Sequence, residues 1–266
     1  MFDSIAGDYD ALNHILSLDV DKIWRRKALK QIVDAPAPAR VLDLACGTGD
    51  FSIAIAKALS RSHKRVGTPI EAHVKAPAKA PVEAQVTSTG FVTGDSGRSD
   101  LMTKGHVTGV DLSEGMLAVM REKVAKAGLT EMISIEEGDG ENLRFPDNTF
   151  DRVTIAFGIR NFENREKGLR EMLRVLKPGG RLVILELSRP ENKVIRWFYD
   201  LYFLHILPKI GGKVSGDKAA YAYLPASVAA FPGKKAFMAT MREAGFRTVT
   251  HKAFTLGICR MYTGEK

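Results

Sequence analysis

The chain has 266 residues, of which 45% are hydrophobic, and it carries a formal net charge of +8; this length and apolar content suit one α/β domain with a substantial core. The positive charge alone is compatible with nucleic acid, an anionic membrane surface or an acidic ligand as partner. Two cysteines exclude a disulfide framework, no signal-peptide pattern opens the chain, and the apolar runs fall short of the ~20 residues of a membrane-spanning helix, so we expect a cytoplasmic protein that is soluble or associated with a membrane surface.

Strand-like and helix-like segments alternate from residue 39 onward, and this pattern is typical of a parallel sheet covered by helices. Residues 1–38 are expected to form a helical cap. Helices are predicted at 51–60, 114–127, 166–176 and 234–244, and strands at 40–44, 107–112, 133–136, 150–157, 181–187, 248–253 and 257–262. Because the last two strands follow each other directly, we predict a seven-stranded, mostly parallel, Rossmann-like sheet with an antiparallel C-terminal hairpin at its edge.

Two regions do not follow this alternation. Residues 61–105 are rich in Ala, Pro, Lys, Thr, Ser and Gly and show little periodicity, so we expect a mobile surface insertion there and not a separate domain. Residues 188–232 are aromatic and partly helical, and they follow a strand end of the kind at which such sheets bind ligands. We therefore predict a single domain with a helical cap, an insertion and a substrate lid.

The most informative segment is the glycine turn after the first strand. Gly47 and Gly49 allow the backbone to pass close to a ligand. Asp43 precedes this turn and Asp50 follows it. Two carboxylates would repel a pyrophosphate, whereas they suit a ligand that carries an ammonium group and a sulfonium. The turn therefore predicts a binding site for a cationic nucleotide-like ligand, with Asp43, Gly47 and Gly49 in contact with it.

Acidic residues also end the second and third strands. A carboxylate at Asp111 can accept both hydroxyls of a ribose, since Ser113 already provides the cap of the next helix. Asp139 can reach an adenine amino group, and Gly140 would let the base lie against the backbone. Because the carboxyl ends of neighbouring parallel strands meet in one crevice, these groups together predict a site for S-adenosylmethionine.

The chain resembles class I methyltransferases and, within them, the UbiE-type family that C-methylates the quinol ring of menaquinone and ubiquinone precursors. The matching segments cover nearly all of the chain outside the insertion: 9–13, 24–26, 41–50, 145–151, 157–161, 174–180, 223–227 and 256–258. The resemblance implies that Thr48, Asp111, Asp139 and Gly140 contact the cofactor.

Three residues are predicted to be catalytic. Arg160 and Asn161 follow the fourth strand at the mouth of the crevice, where an arginine can stabilise a developing phenolate; the alternative for Arg160 is a salt bridge within a loop. Tyr9 lies on an apolar helical face, so it either contacts the ligands or packs in the core. Methyl transfer to a quinol ring requires alignment and removal of a hydroxyl proton. It needs no metal, and the six scattered histidines predict none.

The aromatic residues of 194–208 have helical spacing, which is typical of a core but also suits a tunnel for a polyprenyl tail. Basic residues nearby favour a membrane-facing entrance.

Several interpretations remain open. The reaction converts demethylmenaquinol to menaquinol or methylates the benzoquinol precursor of ubiquinone. The alternatives of another class are a nucleic-acid methyltransferase and a non-catalytic protein that binds S-adenosylmethionine. No Asn-Pro-Pro-Tyr-type motif follows the fourth strand, which argues against base methylation. We therefore expect a prenylated quinol and not nucleic acid as partner, and a homodimer is compatible with the sequence.

Overall fold

The computed structural model describes residues 19–35, 38–66, 105–202 and 218–266. The helices in these ranges are α1 (Val20–Ile32), α2 (Asp50–Val66), α3 (Glu114–Lys126), α4 (Arg165–Val175), α5 (Lys193–Leu201), α6 (Lys218–Ala230) and α7 (Lys234–Glu243). The strands are β1 (Arg40–Leu44), β2 (His106–Asp111), β3 (Ile133–Glu137), β4 (Phe150–Ala156), β5 (Leu176–Leu187), β6 (Arg247–Phe254) and β7 (Cys259–Glu265).

These strands form one sheet of order β3-β2-β1-β4-β5-β7-β6. Strands β1 to β5 pair in parallel, and β7 pairs antiparallel with both β5 and β6. The predicted seven-stranded, mostly parallel sheet with a C-terminal antiparallel hairpin is confirmed. Within the hairpin, β7 lies inside the sheet and β6 forms the edge.

Helices cover both faces of the sheet. Val41 of β1 belongs to the core formed with α1, α2 and α3, whereas its neighbours Leu42 and Leu44 belong to the core formed with α4 and α7. A strand that is buried on both faces needs an apolar residue at nearly every position, and β1 has this composition. The acid Asp43 is the exception in β1, and it lies at the site described below.

Helix α3 ends as the sequence predicts. The Ser113 hydroxyl accepts a hydrogen bond from the backbone N–H of Met116 at 3.3 Å, so it caps the first turn. Gly128, with φ of +65°, follows the last turn in the left-handed conformation that glycine adopts without strain. This helix therefore starts at the carboxyl end of β2 in a fixed position.

Helix α2 extends to Val66, six residues beyond its predicted end. The residues after Ser60 include arginine and lysine, which are good helix formers, and no glycine or proline occurs before Gly67. The prediction of an insertion that begins at Arg61 was therefore wrong for residues 61–66. Residues 67–104 lie outside the described residues, as does the predicted catalytic Tyr9.

Strand β5 begins five residues earlier than predicted. Lys177-Pro178-Gly179-Gly180, a sequence that is typical of a turn, lies within this strand as a bulge: Phe150 pairs with Leu176, and the next pair is Arg152 with Arg181. The backbone of this bulge bonds to that of Lys266, whose N–H donates to the Gly180 carbonyl at 3.1 Å.

Among the described residues, no helix is both long enough and apolar enough to span a bilayer.

Candidate functional site

A cavity of about 460 Å³ lies where the carboxyl ends of β1 to β4 meet. Strands β2 and β4 flank β1, so the connections leave the sheet in opposite directions at this point and a crevice opens between them. The cavity is lined by Ala45, Gly47, Val110, Asp111, Leu112, Ser113, Met116, Gly138, Asp139, Gly140, Glu141, Ala156, Phe157, Gly158, Asn161, Phe162 and Glu163. Its size is in the range that small ligands occupy in proteins.

The glycine turn forms one wall of the cavity, but only part of the turn faces it. Gly47 lines the cavity, and its N–H donates to Asp111 Oδ2 at 2.8 Å, so the turn is fixed to the end of β2. Gly49 instead allows α3 to approach, because a Cβ there would collide with the Met120 side chain. Thr48 is buried behind the wall, where its hydroxyl accepts a hydrogen bond from Lys123 Nζ at 3.3 Å. Thr48 and Gly49, two of the predicted cofactor contacts, therefore do not line the cavity.

Asp43 is also behind the wall. Its side chain is buried beneath the turn, and Oδ2 accepts a hydrogen bond from Ser52 Oγ at 2.5 Å. The pKa of Asp43 is raised to about 7, mainly by burial and to a smaller extent by the charge of Asp111, whereas the Ser52 hydrogen bond and the Arg25 charge oppose this shift. Asp43 is therefore not part of the cavity wall, because its carboxylate lies in the core.

Asp50, the second acid beside the turn, pairs with two cations. It forms ion pairs with Lys123 and, at 3.4 Å, with Arg25. Its charge is therefore neutralised within the protein and does not belong to the cavity wall. The sequence correctly indicated an acidic turn, but the acids on the wall come from other strands.

Asp111 and Asp139 do lie on the wall. Asp111 Oδ1 accepts the N–H of Ser113 at 2.9 Å, and Asp139 Oδ1 accepts the N–H of Glu141 at 2.8 Å, so backbone groups orient both carboxylates. Each carboxylate has about four lone-pair positions and can accept further hydrogen bonds from a ligand. Leu112 lies next to Asp111 on the wall with 67% of its surface exposed.

Gly140 lines the cavity and also makes room for a neighbouring side chain of the wall. The missing Cβ would point at the Phe162 ring, 2.6 Å from its Cζ atom. The space that glycine leaves is therefore filled by Phe162, and both residues line the cavity. The same ring also explains Gly168, whose Cβ would lie 2.5 Å from it.

The loop after β4 forms the opposite wall. Asn161 lines the cavity, and its Oδ1 accepts a hydrogen bond from Tyr223 Oη of α6 at 2.9 Å. Gly158 packs against the turn after β1, because a Cβ at Gly158 would lie 2.5 Å from Ala45 Cβ. The two strand-end loops are thus in direct contact.

Arg160 points away from the cavity. Its guanidinium forms a buried ion pair with Glu186 of β5 at 3.0 Å, donates to the Phe157 carbonyl oxygen, and donates to Ser227 Oγ at 3.3 Å. Glu186 Oε2 also accepts the backbone N–H of Arg160 at 3.1 Å. The structure therefore contains the salt bridge and does not place Arg160 at the cavity mouth.

The described part of the aromatic segment has both exposed and buried side chains. Trp197 and Phe198 of α5 are exposed, whereas Tyr199 is buried. None of these three residues lines the cavity. Residues 203–217 of this segment lie outside the described residues.

Sequence reasoning missed Leu112, Phe162, Tyr223 and Glu186. Glu186 could have been found, because an acid inside an apolar strand requires a buried partner. Leu112 could have been found from its place after the acid of β2. The Tyr223 contact depends on α6 crossing the loop after β4, which no local pattern indicates. Among the described residues no cluster of His, Cys, Asp and Glu could hold a metal ion.

Comparisons with known proteins agree with this geometry. The model of the ubiE/COQ5 methyltransferase family matches residues 1–266. The chain is 44% identical over 266 residues to the Ubiquinone/menaquinone biosynthesis C-methyltransferase UbiE of Geobacter sulfurreducens, covering all of this chain and 87% of that protein. It is 42% identical over the same length to the Demethylmenaquinone methyltransferase of Deinococcus radiodurans, with 91% of that protein covered.

Solved structures show the same fold. An S-adenosylmethionine-dependent methyltransferase from Aquifex aeolicus superposes with a TM-score of 0.54 at 19% identity, over 90% of this chain and 88% of that one. A putative one from Methanococcus maripaludis gives a TM-score of 0.59 at 17% identity, over 100% and 94% of the two chains. At these identities the likeness establishes the Rossmann-like fold.

Proposed function

The chain belongs to the ubiE/COQ5 methyltransferase family and is an S-adenosylmethionine-dependent C-methyltransferase of quinone biosynthesis, and from this premise we propose that its acceptor is demethylmenaquinol, a prenylated naphthoquinol. The observation that carries the proposal is the full-length family match together with a cavity whose wall presents the carboxylates of Asp111 and Asp139. Relatives named demethylmenaquinone methyltransferase support the naphthoquinol over the benzoquinol.

The residues of the cavity suit S-adenosylmethionine. We assign the ribose hydroxyls to Asp111 and the adenine amino group to Asp139, since both carboxylates lie on the cavity wall and are held in place by backbone N–H groups. Leu112 and Phe162 give the base apolar surfaces. Gly47 leaves room at the turn for the methionine part of the molecule.

Asp43, Thr48 and Gly49 support this site from behind. Asp43 holds the start of α2 through Ser52, and Thr48 is bonded to Lys123 of α3. Gly49 lets Met120 of α3 pack beneath the turn. We therefore propose that these three are positioning residues for Gly47 and for the helix ends around it.

The acceptor site is proposed to lie against the loop after β4. When bound, S-adenosylmethionine supplies an electrophilic methyl group on a positively charged sulfur, and the protein must hold a quinol ring carbon in line with it. The Asn161 amide, oriented by Tyr223, is a group of this wall that can hydrogen-bond a quinol oxygen. Arg160 then acts as a positioning residue, since its ion pair with Glu186 fixes the loop that carries Asn161.

The test is methyl transfer from labelled S-adenosylmethionine to reduced demethylmenaquinone and, in parallel, to the reduced benzoquinone precursor. We expect methylation of the naphthoquinol at the higher kcat/KM. Faster methylation of the benzoquinol would assign the ubiquinone branch, and no product from either acceptor would overturn the proposal.

Other expectations stay predictions. The catalytic role of Tyr9 is one of them, because Tyr9 lies outside the described residues. The lid at 188–232 is described only in part, by α5 and α6, and α6 meets the cavity loop through Tyr223 and Ser227. Absence of a metal cofactor, a cytoplasmic location and a homodimer are likewise predictions.

A further inference from the structure

Helix α5 carries an apolar stripe that faces outward. Val194, Trp197, Phe198 and Leu201 have 65%, 61%, 60% and 39% of their surface exposed. Their spacing of three, four and seven residues places them on one face of the helix. In a globular protein such a stripe normally faces the core, so this face indicates contact with something outside the described residues.

The stripe lies at the end of the molecule that holds the cavity. Helix α5 follows the carboxyl end of β5, where Leu187 pairs with Cys259 at the start of β7. The turn before β7 carries Leu256, which is also strongly exposed. Large exposed apolar side chains elsewhere in the described residues are Ile23, whose neighbour Trp24 bonds to this turn, and Leu112 on the cavity wall. All of them therefore surround one end of the sheet.

Positive charge is in excess beside the stripe. Among the described residues, Lys193 and Lys235 have no carboxylate partner, and Arg196 donates to backbone carbonyl oxygens. The acids nearby, Glu191 and Asp200, are each paired with basic side chains. The acidic side chains of the cavity wall do not belong to α5. They lie in β2, the loop after β3 and the loop after β4: Asp111, Asp139, Glu141 and Glu163.

We propose that the α5 surface, which consists of Val194, Trp197, Phe198 and Leu201 with Lys193 and Arg196, docks on an anionic lipid bilayer. Aromatic and aliphatic side chains enter the interfacial region while lysine and arginine reach the anionic headgroups. This inference rests on the proposed function, because a prenylated acceptor dissolves in the bilayer. Docking at this end places the cavity next to the membrane from which the acceptor comes.

Tryptophan fluorescence tests the docking directly. The chain has two tryptophans, and they differ in environment: Trp24 is 5% exposed and bonded to Thr255, whereas Trp197 is exposed. Vesicles of phosphatidylcholine with 30% phosphatidylglycerol should shift the emission to shorter wavelength. The shift should be absent in Trp197→Phe and weak with phosphatidylcholine alone.

Cosedimentation with the same vesicles gives the second measurement. Val194→Ser/Phe198→Ser should weaken binding by about tenfold or more, because it removes two of the four apolar side chains. The matched control is Glu122→Ser/Lys126→Ser, which removes an exposed ion pair at the opposite end of the molecule and leaves the net charge unchanged. Equal S-adenosylmethionine affinity of both variants shows that they fold.

Six results decide the matter. Absence of vesicle binding by the wild type, or equal binding by the stripe variant, overturns the docking surface. Blue-shifted Trp197 emission in the free protein, or a dimer in sedimentation velocity that the stripe variant dissociates, also overturns it, because the stripe is then covered by protein. Methylation of a tail-less naphthoquinol without vesicle binding leaves the proposed function intact. Vesicle binding without methylation of either quinol supports the surface and overturns the proposed function.

Discussion

Two residues of the cavity wall, Ala45 and Phe157, have positive φ angles of 48° and 64° although neither is a glycine. Each directly follows a strand, β1 or β4. This conformation is costly for residues with a Cβ and is held only where the surrounding structure fixes it. Here the two loops fix each other, because Gly158 leaves room for Ala45 at their contact.

Replacing Gly158 by alanine should therefore weaken cofactor binding. A Cβ at 2.5 Å from Ala45 Cβ forces the two loops apart, and such overpacking costs ~1–3 kcal/mol. We expect the S-adenosylmethionine Kd, measured by calorimetry, to rise about tenfold. Gly233→Ala is the control, since its Cβ would meet open space at a negative φ. Equal Kd values for the two variants would contradict the proposed contact.

Asp43 makes a prediction about pH. Its carboxyl has a pKa of about 7 in the folded protein and 3.8 in the unfolded chain. Between these values the folded state holds a proton that the unfolded state has lost, so stability falls as pH rises from about 4 to 7 and then levels off. From pH 5 to pH 8 this one group should lower the free energy of unfolding by about 2–3 kcal/mol.

Urea unfolding at pH 5 and pH 8 measures this effect. Asp43→Asn cannot ionise, so the difference between the variant and the wild type should change by about 2–3 kcal/mol in favour of the variant at pH 8. Parallel pH curves for the two proteins would show that Asp43 keeps its charge throughout this range.

The buried ion pair between Arg160 and Glu186 joins the loop after β4 to strand β5, so the stability contributions of the two residues are coupled. Either single change, Arg160→Met or Glu186→Leu, leaves one buried charge without its partner and should destabilise the protein by roughly 3–5 kcal/mol. The double variant should recover a large part of that loss. Chemical denaturation of all four proteins measures the coupling, and strictly additive losses would contradict a direct pair.

Helix α6 contacts Asn161 of the cavity wall through the hydroxyl of Tyr223. Tyr223→Phe frees the Asn161 amide to rotate and should lower kcat/KM for the quinol about fivefold to tenfold, while the Kd for S-adenosylmethionine stays within twofold. Tyr262→Phe is the matched control, because the Tyr262 hydroxyl is buried without a hydrogen-bond partner among the described residues. A loss of cofactor affinity in Tyr223→Phe would place this tyrosine on the other ligand.

Element boundaries follow from the sequence where one local interaction decides them. Ser113 and Gly128 fix both ends of α3 in this way. The partners of charged side chains depend on packing between distant elements instead. Arg160 could pair within its loop, with a ligand or with another strand, and only the position of Glu186 on β5 decides among these. In the same way, the sequence alone indicates that Asp43 contacts a ligand. The structure shows instead that its carboxylate is buried and bonded to Ser52 of α2.

At the scale of the whole molecule, the alternating pattern was sufficient to predict the sheet, because parallel strands need helical crossovers. It did not predict that β7 would lie between β5 and β6. Both orders of the hairpin satisfy the same apolar pattern. The choice depends on pairing over the full length of β7, from Leu187 with Cys259 to Arg181 with Glu265.

The crossover between α2 and β2 should tolerate shortening. Both elements pack against each other and belong to the same core, so the fold needs only a short connection from Val66 to Gly105. We expect a variant with residues 68–103 replaced by a Gly-Ser linker to keep its S-adenosylmethionine affinity within about twofold. Titration calorimetry and thermal unfolding check this. A folded variant that binds the cofactor but no longer methylates the quinol would assign a role to these residues.

The position of β7 also has a consequence for how the chain folds during its own synthesis on the ribosome. During translation β6 leaves the ribosome before β7, yet among the described strands β6 pairs with β7 alone. A nascent chain that stops before Cys259 therefore exposes the open edge of β5 and an unpaired β6, and both are templates for association with other chains. The sheet cannot be completed until β7, which lies between β5 and β6, has been synthesised. We therefore expect stalled chains to depend on chaperones until β7 emerges.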